Sequence, residues 1–265
     1  MPKQNGVQLS LAGKVALITG GSRGVGAATV KMFCGAGAKV LFNYQKAREA
    51  ADRVVMECGA EVCATVQAEL SSVADAQKLV EAAVERFGRL DCLVANHGIW
   101  PPNDAPIDQM TEKQWRGTIA TNLDSVFGLI KHSVAQMKRQ SRGAGRDAGR
   151  IVIISSTAGQ RGEAFHCDYA ASKGAVISMV KGLSTELARD GIYVNCVAPG
   201  WVATDMAAPA LEDPKTRDKV LATIPLGRVA TPEEIAAPIL FLSTEHAGFI
   251  TGEIMNVNGG AVLIG

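Results

Sequence analysis

The chain has 265 residues, of which 47% are hydrophobic and 20% are charged, a composition typical of folded globular proteins. Its formal net charge of +1 lacks the basic excess that indicates nucleic-acid binding. No apolar run approaches the ~20 residues of a membrane span, and the first fourteen residues, MPKQNGVQLSLAGK, lack the apolar core of a secretion signal. We therefore expect a cytoplasmic protein with neither nucleic-acid nor membrane partners.

The six cysteines are scattered and show no CxxC or CxxH spacing. They stand at Cys34, Cys58, Cys63, Cys92, Cys167 and Cys196. In a chain without an export signal, such cysteines are expected to be reduced thiols, and neither a disulfide framework nor a zinc site is predicted.

Short apolar runs alternate with amphipathic segments along the chain. The runs, which predict seven buried strands, cover residues 14–19, 38–43, 61–66, 91–96, 150–155, 192–198 and 253–257. Helical patterns cover residues 26–36, 46–58, 72–87, 111–138, 169–190 and 231–243. This alternation predicts an α/β fold, a doubly wound, mostly parallel seven-stranded sheet of the Rossmann type with helices on both faces.

No linker or repeat divides the sequence, so residues 1–265 are expected to form one domain. Residues 1–12 would be an N-terminal tail and 199–230 a substrate-loop region. Helix starts are indicated at Thr111, with Gln114 three residues later, and at Thr231, which Pro232 and Glu234 follow. The polar loop 139–150 contains Arg139, Arg142, Arg146 and Arg150. It is either an anionic docking patch or a solvated loop.

A glycine-rich turn, TGGSRGVG at residues 19–26, follows the first predicted strand and precedes a helix. Glycines at this position let the backbone approach a phosphate and leave helix N–H groups pointing at it. The spacing is that of neither GxGxxG nor a P-loop, and tight turns also use glycine for purely steric reasons. The position in an α/β fold favours phosphate binding.

The end of the second predicted strand bears on the choice of dinucleotide. An acidic residue about 20 residues beyond the turn binds the ribose 2′-hydroxyl of NAD in dinucleotide folds, whereas this strand ends with Asn43 and Tyr44. Arg23 and Lys46 could pair with a 2′-phosphate, or could be solvated cations. We therefore favour NADP(H) over NAD(H).

Tyr169 and Lys173 are four residues apart, on one face of a predicted helix that continues with the apolar Val176 and Val180. A nearby ammonium is expected to lower the pKa of the phenol from about 10 towards neutrality. The alternative is a tyrosine at the core edge with a lysine that extends to solvent.

Two further polar residues point to the same site. Ser156 follows the strand 150–155, and the ends of such strands face the ligand crevice of a doubly wound sheet. Asn122 interrupts an apolar helical stripe formed by Trp115, Ile119 and Val126. A buried amide there either bonds to backbone groups or holds a water molecule, and the sequence leaves both alternatives open.

Together these motifs resemble the short-chain dehydrogenase/reductase family over nearly the whole chain. Residues 19–26 resemble its TGxxxGxG, residues 91–98 (DCLVANHG) its DxLVNNAG, and residues 199–204 (PGWVAT) its PGxxxT. The resemblance implies hydride transfer between a nicotinamide and a carbonyl or secondary alcohol. It assigns the catalytic set to Asn122, Ser156, Tyr169 and Lys173. In this set Ser156 orients the oxygen and Tyr169 transfers the proton. Lys173 holds the nicotinamide ribose, and Asn122 positions a relay water.

The resemblance also implies a set of cofactor-binding residues, spread over the turn, the strand ends and the loop after the sixth strand. They are Gly20, Ser22, Arg23, Gly24, Val25, Gly26, Asn43, Tyr44, Glu69, Leu70, Asn96, Gly98, Tyr169, Lys173, Pro199, Gly200, Val202 and Thr204. Two positions depart from the family pattern. His97 replaces a usual alanine and either contacts cofactor or substrate or is a tolerated, partly exposed histidine. Glu69 replaces a frequent aspartate, which puts an adenine contact in doubt.

The substrate is less well determined. Candidate pocket walls are Trp100, Phe165, His166, Trp201 and Met206. The sequence most resembles 3-oxoacyl-acyl-carrier-protein reductases, which implies an acyl-carrier-protein or coenzyme A thioester. The alternatives are another small ketone, a polyol or a sugar, and, more remotely, a non-catalytic nucleotide-binding scaffold. Asp190 stands where many carrier-dependent members have a cation, and the arginine loop is the candidate compensation. The resemblance and the apolar stretch at residues 256–265 also imply a homotetramer, built in part from helices 111–138 and 169–190.

Overall fold

The computed structural model describes residues 6–140 and 147–263, which form a seven-stranded sheet covered by helices on both faces. The strands are β1 (Val15–Ile18), β2 (Lys39–Tyr44), β3 (Cys63–Gln67), β4 (Cys92–Ala95), β5 (Gly149–Ile154), β6 (Ile192–Pro199) and β7 (Ile254–Val257). The helices are α1 (Gly24–Gly35), α2 (Arg48–Cys58), α3 (Val73–Phe87), α4 (Glu112–Ile119), α5 (Ser125–Gln140), α6 (Thr157–Arg161), α7 (Cys167–Leu187), α8 (Ala208–Glu212), α9 (Pro214–Ala222) and α10 (Pro232–Leu242).

The sheet has the order β3-β2-β1-β4-β5-β6-β7, and every pair of neighbouring strands is parallel. The fold class predicted from the sequence is confirmed. Strand order reverses between β1 and β4, because the chain first builds outward to β3 and then returns to the other side of β1. In such sheets ligands bind beyond the carboxyl ends of the strands at this switch point.

Each face of the sheet buries its own apolar cluster. Side chains alternate along β1, so that Ala16 and Ile18 join a cluster with α1 and α10 while Leu17 joins the cluster on the other face with α3, α5 and α7. Because both faces are covered, the strands have continuous apolar sequences without alternating polar positions.

The predicted helix 111–138 is continuous in space but contains a π-helical turn at Ala120–Asp124, between α4 and α5. A π-helical turn inserts one extra residue into an α-helix and is often found at functional sites. The sequence pattern does not show it, because apolar residues keep their helical spacing on either side. The loop region 199–230 contains the short helices α8 and α9, and α6 lies in a segment for which no helix was predicted.

Both predicted helix starts are found in the structure. The Thr231 side chain accepts a hydrogen bond from the Glu234 amide, and the Glu234 carboxylate accepts one from the Thr231 amide, which completes a capping box. At α4 the Thr111 hydroxyl accepts from the Gln114 amide, half of that arrangement. None of the helices within residues 6–140 and 147–263 is long and apolar enough to cross a membrane.

The last two residues of the predicted arginine loop, Gly149 and Arg150, lie in β5. They are at the amino edge of the sheet, opposite the carboxyl ends of the strands. Arg150 is buried, pairs with Asp147, and has its guanidinium carbon 4.4 Å from the ring centroid of Tyr193. Arg139 donates a hydrogen bond to Gln136, and Arg142 and Arg146 lie outside the described residues. Arg150 therefore cannot belong to an exposed docking patch, and the prediction of an anionic docking patch is wrong for this residue.

Close packing of α3 on α5 gives a stability prediction. A Cβ atom at Gly128 would lie 2.8 Å from Val73 Cα and 2.9 Å from Ala76 Cβ, so the Gly128→Ala substitution should lower the free energy of unfolding by about 1–3 kcal/mol through overpacking. Urea denaturation followed by circular dichroism measures this. The control is Gly35→Ala in α1, which has open space around the added methyl and should keep or raise the midpoint. Equal midpoints for the two variants would contradict the packing argument.

Candidate active site

Three segments converge at the carboxyl edge of the sheet, next to the switch point. Ser156 lies two residues beyond the end of β5 and is the N-cap of α6. Tyr169 and Lys173 lie on the first turns of α7, and Asn122 lies in the π-helical turn. The structure therefore brings together the four residues that the sequence predicts as the catalytic set.

The neighbouring Ser156 side chain lowers the pKa of Tyr169. Burial has the larger, opposite effect, because it disfavours the phenolate, and the pKa of Tyr169 is raised to about 12. Tyr169 is consequently a neutral phenol at physiological pH, poised as a proton donor.

Lys173 lies beneath Tyr169, 5% exposed, and its ammonium donates a 2.8 Å hydrogen bond to the Ile154 carbonyl. Burial lowers its pKa to about 8. The Lys173 nitrogen is 5.8 Å from the Tyr169 ring centroid, and no effect of Lys173 on the Tyr169 pKa is resolved. The prediction that Lys173 brings the pKa of the phenol towards neutrality is therefore wrong for this arrangement, in which desolvation dominates.

The Asn122 amide is fully buried and bonded to protein groups. Its Oδ1 accepts from the Ile99 amide at 2.8 Å, and its Nδ2 donates to the Ile99 carbonyl at 3.0 Å and to Ser172 Oγ at 3.2 Å. Ser172 Oγ in turn donates to the Tyr169 carbonyl. Of the two alternatives left open by the sequence, the contacts support the structural one. Asn122 fixes the loop after β4 against the first turns of α7.

Two glycines leave room for Lys173. A Cβ at Gly98 would lie 3.3 Å from both Lys173 Nζ and Asn122 Oδ1, and a Cβ at Gly159 would lie 2.5 Å from the Lys173 carbonyl carbon. Gly98 belongs to the predicted site, whereas Gly159 was not predicted. It is a single glycine in a segment where the sequence pattern predicts no helix or strand. Ser155 was also missed; its hydroxyl donates to the Lys173 carbonyl at 2.8 Å.

The glycine-rich turn is held tightly against its surroundings. Gly20 and Gly24 have positive φ angles of 68° and 53°, which glycine adopts without strain. A Cβ at Gly26 would lie only 2.1 Å from the Gly20 carbonyl oxygen. Gly24 faces Thr204, whose methyl would be 3.0 Å from an added Cβ. The turn therefore leaves no room for larger side chains, and it brings the loop after β6 next to α1.

Two amides pin this turn to the sheet. Asn43 Oδ1 accepts from the Gly20 amide at 3.0 Å, while its Nδ2 donates to the Ala68 carbonyl. Asn96 Nδ2 donates to the Thr19 carbonyl at 2.9 Å. Both side chains of the predicted cofactor set are thus engaged with the backbone, which makes them positioning residues for the turn.

The turn fits a dinucleotide phosphate. Arg23 is the N-cap of α1 but makes no side-chain capping hydrogen bond, and the first amide groups of a helix lack intrahelical partners and attract anions. Ser22 and Val25 are half-buried beside these amides. Residues that could hold the phosphates are therefore present at this turn.

The candidate 2′-phosphate cations are differently placed. The Arg23 guanidinium is exposed and bonds to the Asp205 carboxylate at 2.7 Å, while Lys46 is exposed just beyond β2. Tyr44 is buried at the end of β2.

Glu69 is exposed and lines a cavity of about 410 Å³ beside α3, and its neighbour Leu70 is buried. This cavity does not reach Tyr169, so it is distinct from the catalytic set.

The loop after β6 completes the edge. Pro199 ends β6, and the Gly200 amide donates to the Val257 carbonyl at the end of β7. Val202 is buried and pairs with Ala230, which places the half-buried Thr204 opposite Gly24.

His97 is a neutral, hydrogen-bonded histidine. Its Nδ1 lies 2.8 Å from Thr19 Oγ1 and its Nε2 lies 2.7 Å from Ser125 Oγ. Because Ser125 donates its own proton to the Thr121 carbonyl, His97 must donate from Nε2 and accept at Nδ1. Burial, and secondly the charge of Lys173, lower the pKa of His97 to about 3. The residue therefore joins the segment after β1 to the first residue of α5, which directly follows the π-helical turn.

Of the five candidate pocket walls, Trp100 contacts Tyr169 of the catalytic set, and His166 contacts Trp100. Trp100 packs edge-on against Tyr169, with ring centroids 4.8 Å apart, and stacks on His166 at 4.0 Å. Phe165 and Met206 are exposed, and Trp201 borders a depression on the other side of the loop with Ile224 and Leu226. Phe165 has a positive φ of 64°, rare for an aromatic residue.

A buried carboxylate next to Tyr169 was not predicted. Asp168 Oδ2 accepts from Thr118 Oγ1 at 2.8 Å and from Gln114 Nε2 at 3.2 Å. These bonds join α4 to the start of α7. The sequence gives no sign of them, because Asp168 stands fifty residues from its partners.

Comparisons with known proteins agree with this geometry. A family profile described as "Enoyl-(Acyl carrier protein) reductase" matches residues 20–262. A 3-oxoacyl-[acyl-carrier-protein] reductase from Synechocystis sp. is 39% identical over 258 residues, which cover 96% of this chain and 99% of that protein.

Two solved structures from Brucella melitensis are also similar. One, a short-chain dehydrogenase/reductase described as a glucose/ribitol dehydrogenase, has a TM-score of 0.87 at 35% identity and covers 97% of this chain and all of its own. The other, a 3-ketoacyl-(acyl-carrier-protein) reductase complexed with NADH, has a TM-score of 0.86 at 31% identity, over 96% of this chain and all of its own. With these matches over nearly its whole length, the chain belongs to the short-chain dehydrogenase/reductase family.

Proposed function

We propose that the chain is an NAD(P)(H)-dependent oxidoreductase that reduces the ketone of a 3-oxoacyl thioester. The observation that carries this proposal is the convergence of Ser156, Tyr169 and the buried Lys173 at the carboxyl edge of the sheet. Two hydroxyl groups at one point can both address a single substrate oxygen. A protonated phenol can give its proton to that oxygen as it becomes an alkoxide.

Each catalytic residue then has a distinct role. The nicotinamide cofactor, when bound, supplies the hydride or accepts it. Ser156 hydrogen-bonds the carbonyl oxygen and so fixes its position, and Tyr169 protonates it. Lys173, held by the Ile154 carbonyl, provides the positive charge and a hydrogen-bond donor for the cofactor's ribose. Asn122 acts through position, because it holds Ile99 and Ser172 and thereby the neighbouring backbone.

The cofactor is proposed to lie along the edge from the turn to Lys173. Its phosphates would meet the amides near Ser22, Gly24 and Val25, in the space left by Gly20 and Gly26. Glu69 and Leu70 would flank the adenine, with Gly98 along the ribose. The nicotinamide would lie by Pro199, Gly200, Val202 and Thr204. Asn43, Tyr44 and Asn96 would shape the binding surface from behind.

The thioester substrate is supported by the name of the Synechocystis relative, a 3-oxoacyl-[acyl-carrier-protein] reductase. Reduction of a ketone also suits the Ser156–Tyr169 pair better than the enoyl reduction in the profile's description, since both hydroxyls address an oxygen. The second candidate is a sugar or polyol dehydrogenase, favoured by the 35% identity to the glucose/ribitol dehydrogenase.

An acyl carrier protein would need basic docking residues on this chain, and Asp190 instead pairs with Lys138. A coenzyme A thioester is therefore an equally suitable test substrate.

We also infer a homotetramer, built in part from α4, α5 and α7. Trp115 on α4 and Phe127 on α5 are 39% and 49% exposed, and Leu263 near the chain end is 86% exposed. Large apolar side chains at such positions are costly to leave in water and are suited to subunit contacts.

Removal of the phenol hydroxyl tests the assignment of Tyr169. The Tyr169→Phe variant should keep its cofactor affinity but lose about 10²–10⁴ in turnover of acetoacetyl-CoA, measured by nicotinamide absorbance. Tyr193→Phe, which loses the same group near the amino edge, is the matched control and should retain activity. A Tyr169→Phe variant within about tenfold of wild type would exclude Tyr169 as the acid. Wild-type cofactor binding without turnover of any ketone, sugar or polyol would favour the scaffold alternative.

The pKa values predict opposite pH profiles for the two directions. Reduction needs the phenol and the Lys173 ammonium, so its rate should stay constant below about pH 8 and fall above it, as Lys173 loses its proton. Oxidation of the alcohol needs the phenolate, which a pKa raised to about 12 makes scarce at neutral pH, so that rate should rise with pH. Initial rates with acetoacetyl-CoA and with 3-hydroxybutyryl-CoA measure both. An oxidation rate that is already maximal at neutral pH would contradict the raised pKa.

We propose that NADP(H) is favoured over NAD(H), through Arg23 and Lys46. Arg23→Gln and Lys46→Gln should each weaken NADPH binding by about tenfold, the loss of one charge-assisted contact, and leave NADH binding nearly unchanged. Asp205→Asn is the informative counterpart, because it releases Arg23 from its ion pair and should strengthen NADPH binding. Fluorescence titration with each cofactor measures this. Tighter binding of NADH by the wild type would reverse the proposed preference.

A further inference from the structure

Three of the six cysteines, which belong to three different secondary-structure elements, meet in space. Cys34 in the last turn of α1, Cys58 at the end of α2 and Cys63 at the start of β3 have sulfur atoms that all lie within 4.8 Å of one another. The remaining cysteines are not part of this group. The sequence shows no metal-ligand spacing at these positions, because the three residues belong to three different elements.

The spacing of the sulfur atoms suits a single soft metal ion. Metal–thiolate bonds of about 2.3 Å place three sulfurs roughly 4 Å apart around one ion. The observed spacing needs only small side-chain adjustments to reach this value. Thiolates are the ligands preferred by soft ions such as Cu(I), Zn(II) and Cd(II).

The surroundings allow an ion to enter. Cys63 is buried, whereas Cys34 and Cys58 are each partly exposed. The three thiols interact with one another, and Cys63, followed by burial, is the largest cause that raises the pKa of Cys34. Lys31 of α1 pairs with Glu57 of α2 beside them, so the two helices are already joined at this point.

The cluster lies far from the candidate active site. Cys34 is in the last turn of α1, whose first residues belong to the glycine-rich turn. A helix of 12 residues is roughly 18 Å long. Cys63 starts β3 at the amino edge and pairs with Val40 at the start of β2. An ion here would link α1, α2 and β3 without touching Tyr169 or Lys173.

We propose that Cys34, Cys58 and Cys63 form a binding site for one soft metal ion held by three thiolates. Each thiol loses its proton as its metal–sulfur bond forms, and no electron is transferred. Because the ion joins three elements that the unfolded chain does not hold together, its binding stabilises the fold. The role is structural, and it is independent of the proposed oxidoreductase activity.

The test is an anaerobic titration of the reduced full-length protein with Cd(II), followed by the ultraviolet thiolate-to-cadmium charge-transfer band. We expect one ion per chain, loss of reactivity towards a thiol reagent at the partly exposed Cys34 and Cys58, and a higher melting temperature. Zn(II) and Cu(I) titrations, with Cd(II) competition, then rank the ions.

Single-cysteine variants decide whether the cluster is the site. Cys34→Ser and Cys58→Ser change partly exposed residues, so both should fold, and each should bind Cd(II) at least about tenfold more weakly and lose the rise in melting temperature. Cys167→Ser, which removes a partly exposed thiol outside the cluster, is the matched control and should bind Cd(II) as the wild type does.

Three results of the titrations would overturn the proposal. They are the absence of a stoichiometric charge-transfer band, binding that survives in Cys34→Ser and Cys58→Ser, and equal loss of binding in Cys167→Ser. Air oxidation to a disulfide within the cluster that Cd(II) does not prevent would also overturn it, in favour of a redox pair. Circular dichroism of each variant establishes that it is folded before any binding is compared.

Discussion

The parallel alignment of β1, β4, β5 and β6 is the constraint on which the site depends. Register pairs Ile18 with Val94, Ala95 with Ile153, and Ile154 with Val197. The residues that follow each strand therefore emerge at the same edge, although they are separated by up to about 180 positions in the chain. Parallel strands need long crossover connections, and these connections are the helices that bury both faces of the sheet.

Side-chain amides then hold the irregular backbone at this edge. Loops have polar backbone groups that need partners once they are buried, and Asn43, Asn96 and Asn122 each satisfy groups on a neighbouring segment. The glycine-rich turn, the loop after β4 and the π-helical turn are thereby fixed relative to one another. A binding edge built in this way is preorganised, which reduces the entropy cost of holding a ligand.

Burial also sets the electrostatic character of the site. It raises the pKa of Tyr169 and lowers the pKa values of Lys173 and His97, so that every one of these groups is shifted towards its neutral form. The same desolvation explains why Lys173 does not dominate the titration of Tyr169. The Lys173 ammonium donates a hydrogen bond to the Ile154 carbonyl, and this position leaves it free to donate another to a ligand at the carboxyl edge of the sheet.

The sequence by itself determined the fold class and the seven strands, because strand burial and helix capping are local patterns. The four residues that converge at the site were predicted from the resemblance to a known family, since the Tyr169–Lys173 spacing and the single amide of Asn122 each left an alternative open. The tertiary structure decided the π-helical turn, the backbone partners of Asn122 and the hydrogen bonds of His97. It also decided the raised pKa of Tyr169, the burial of Arg150 and the meeting of Cys34, Cys58 and Cys63. Each of these depends on which distant segments become neighbours and how much water they exclude, and neither quantity is encoded in the spacing of residues along the chain.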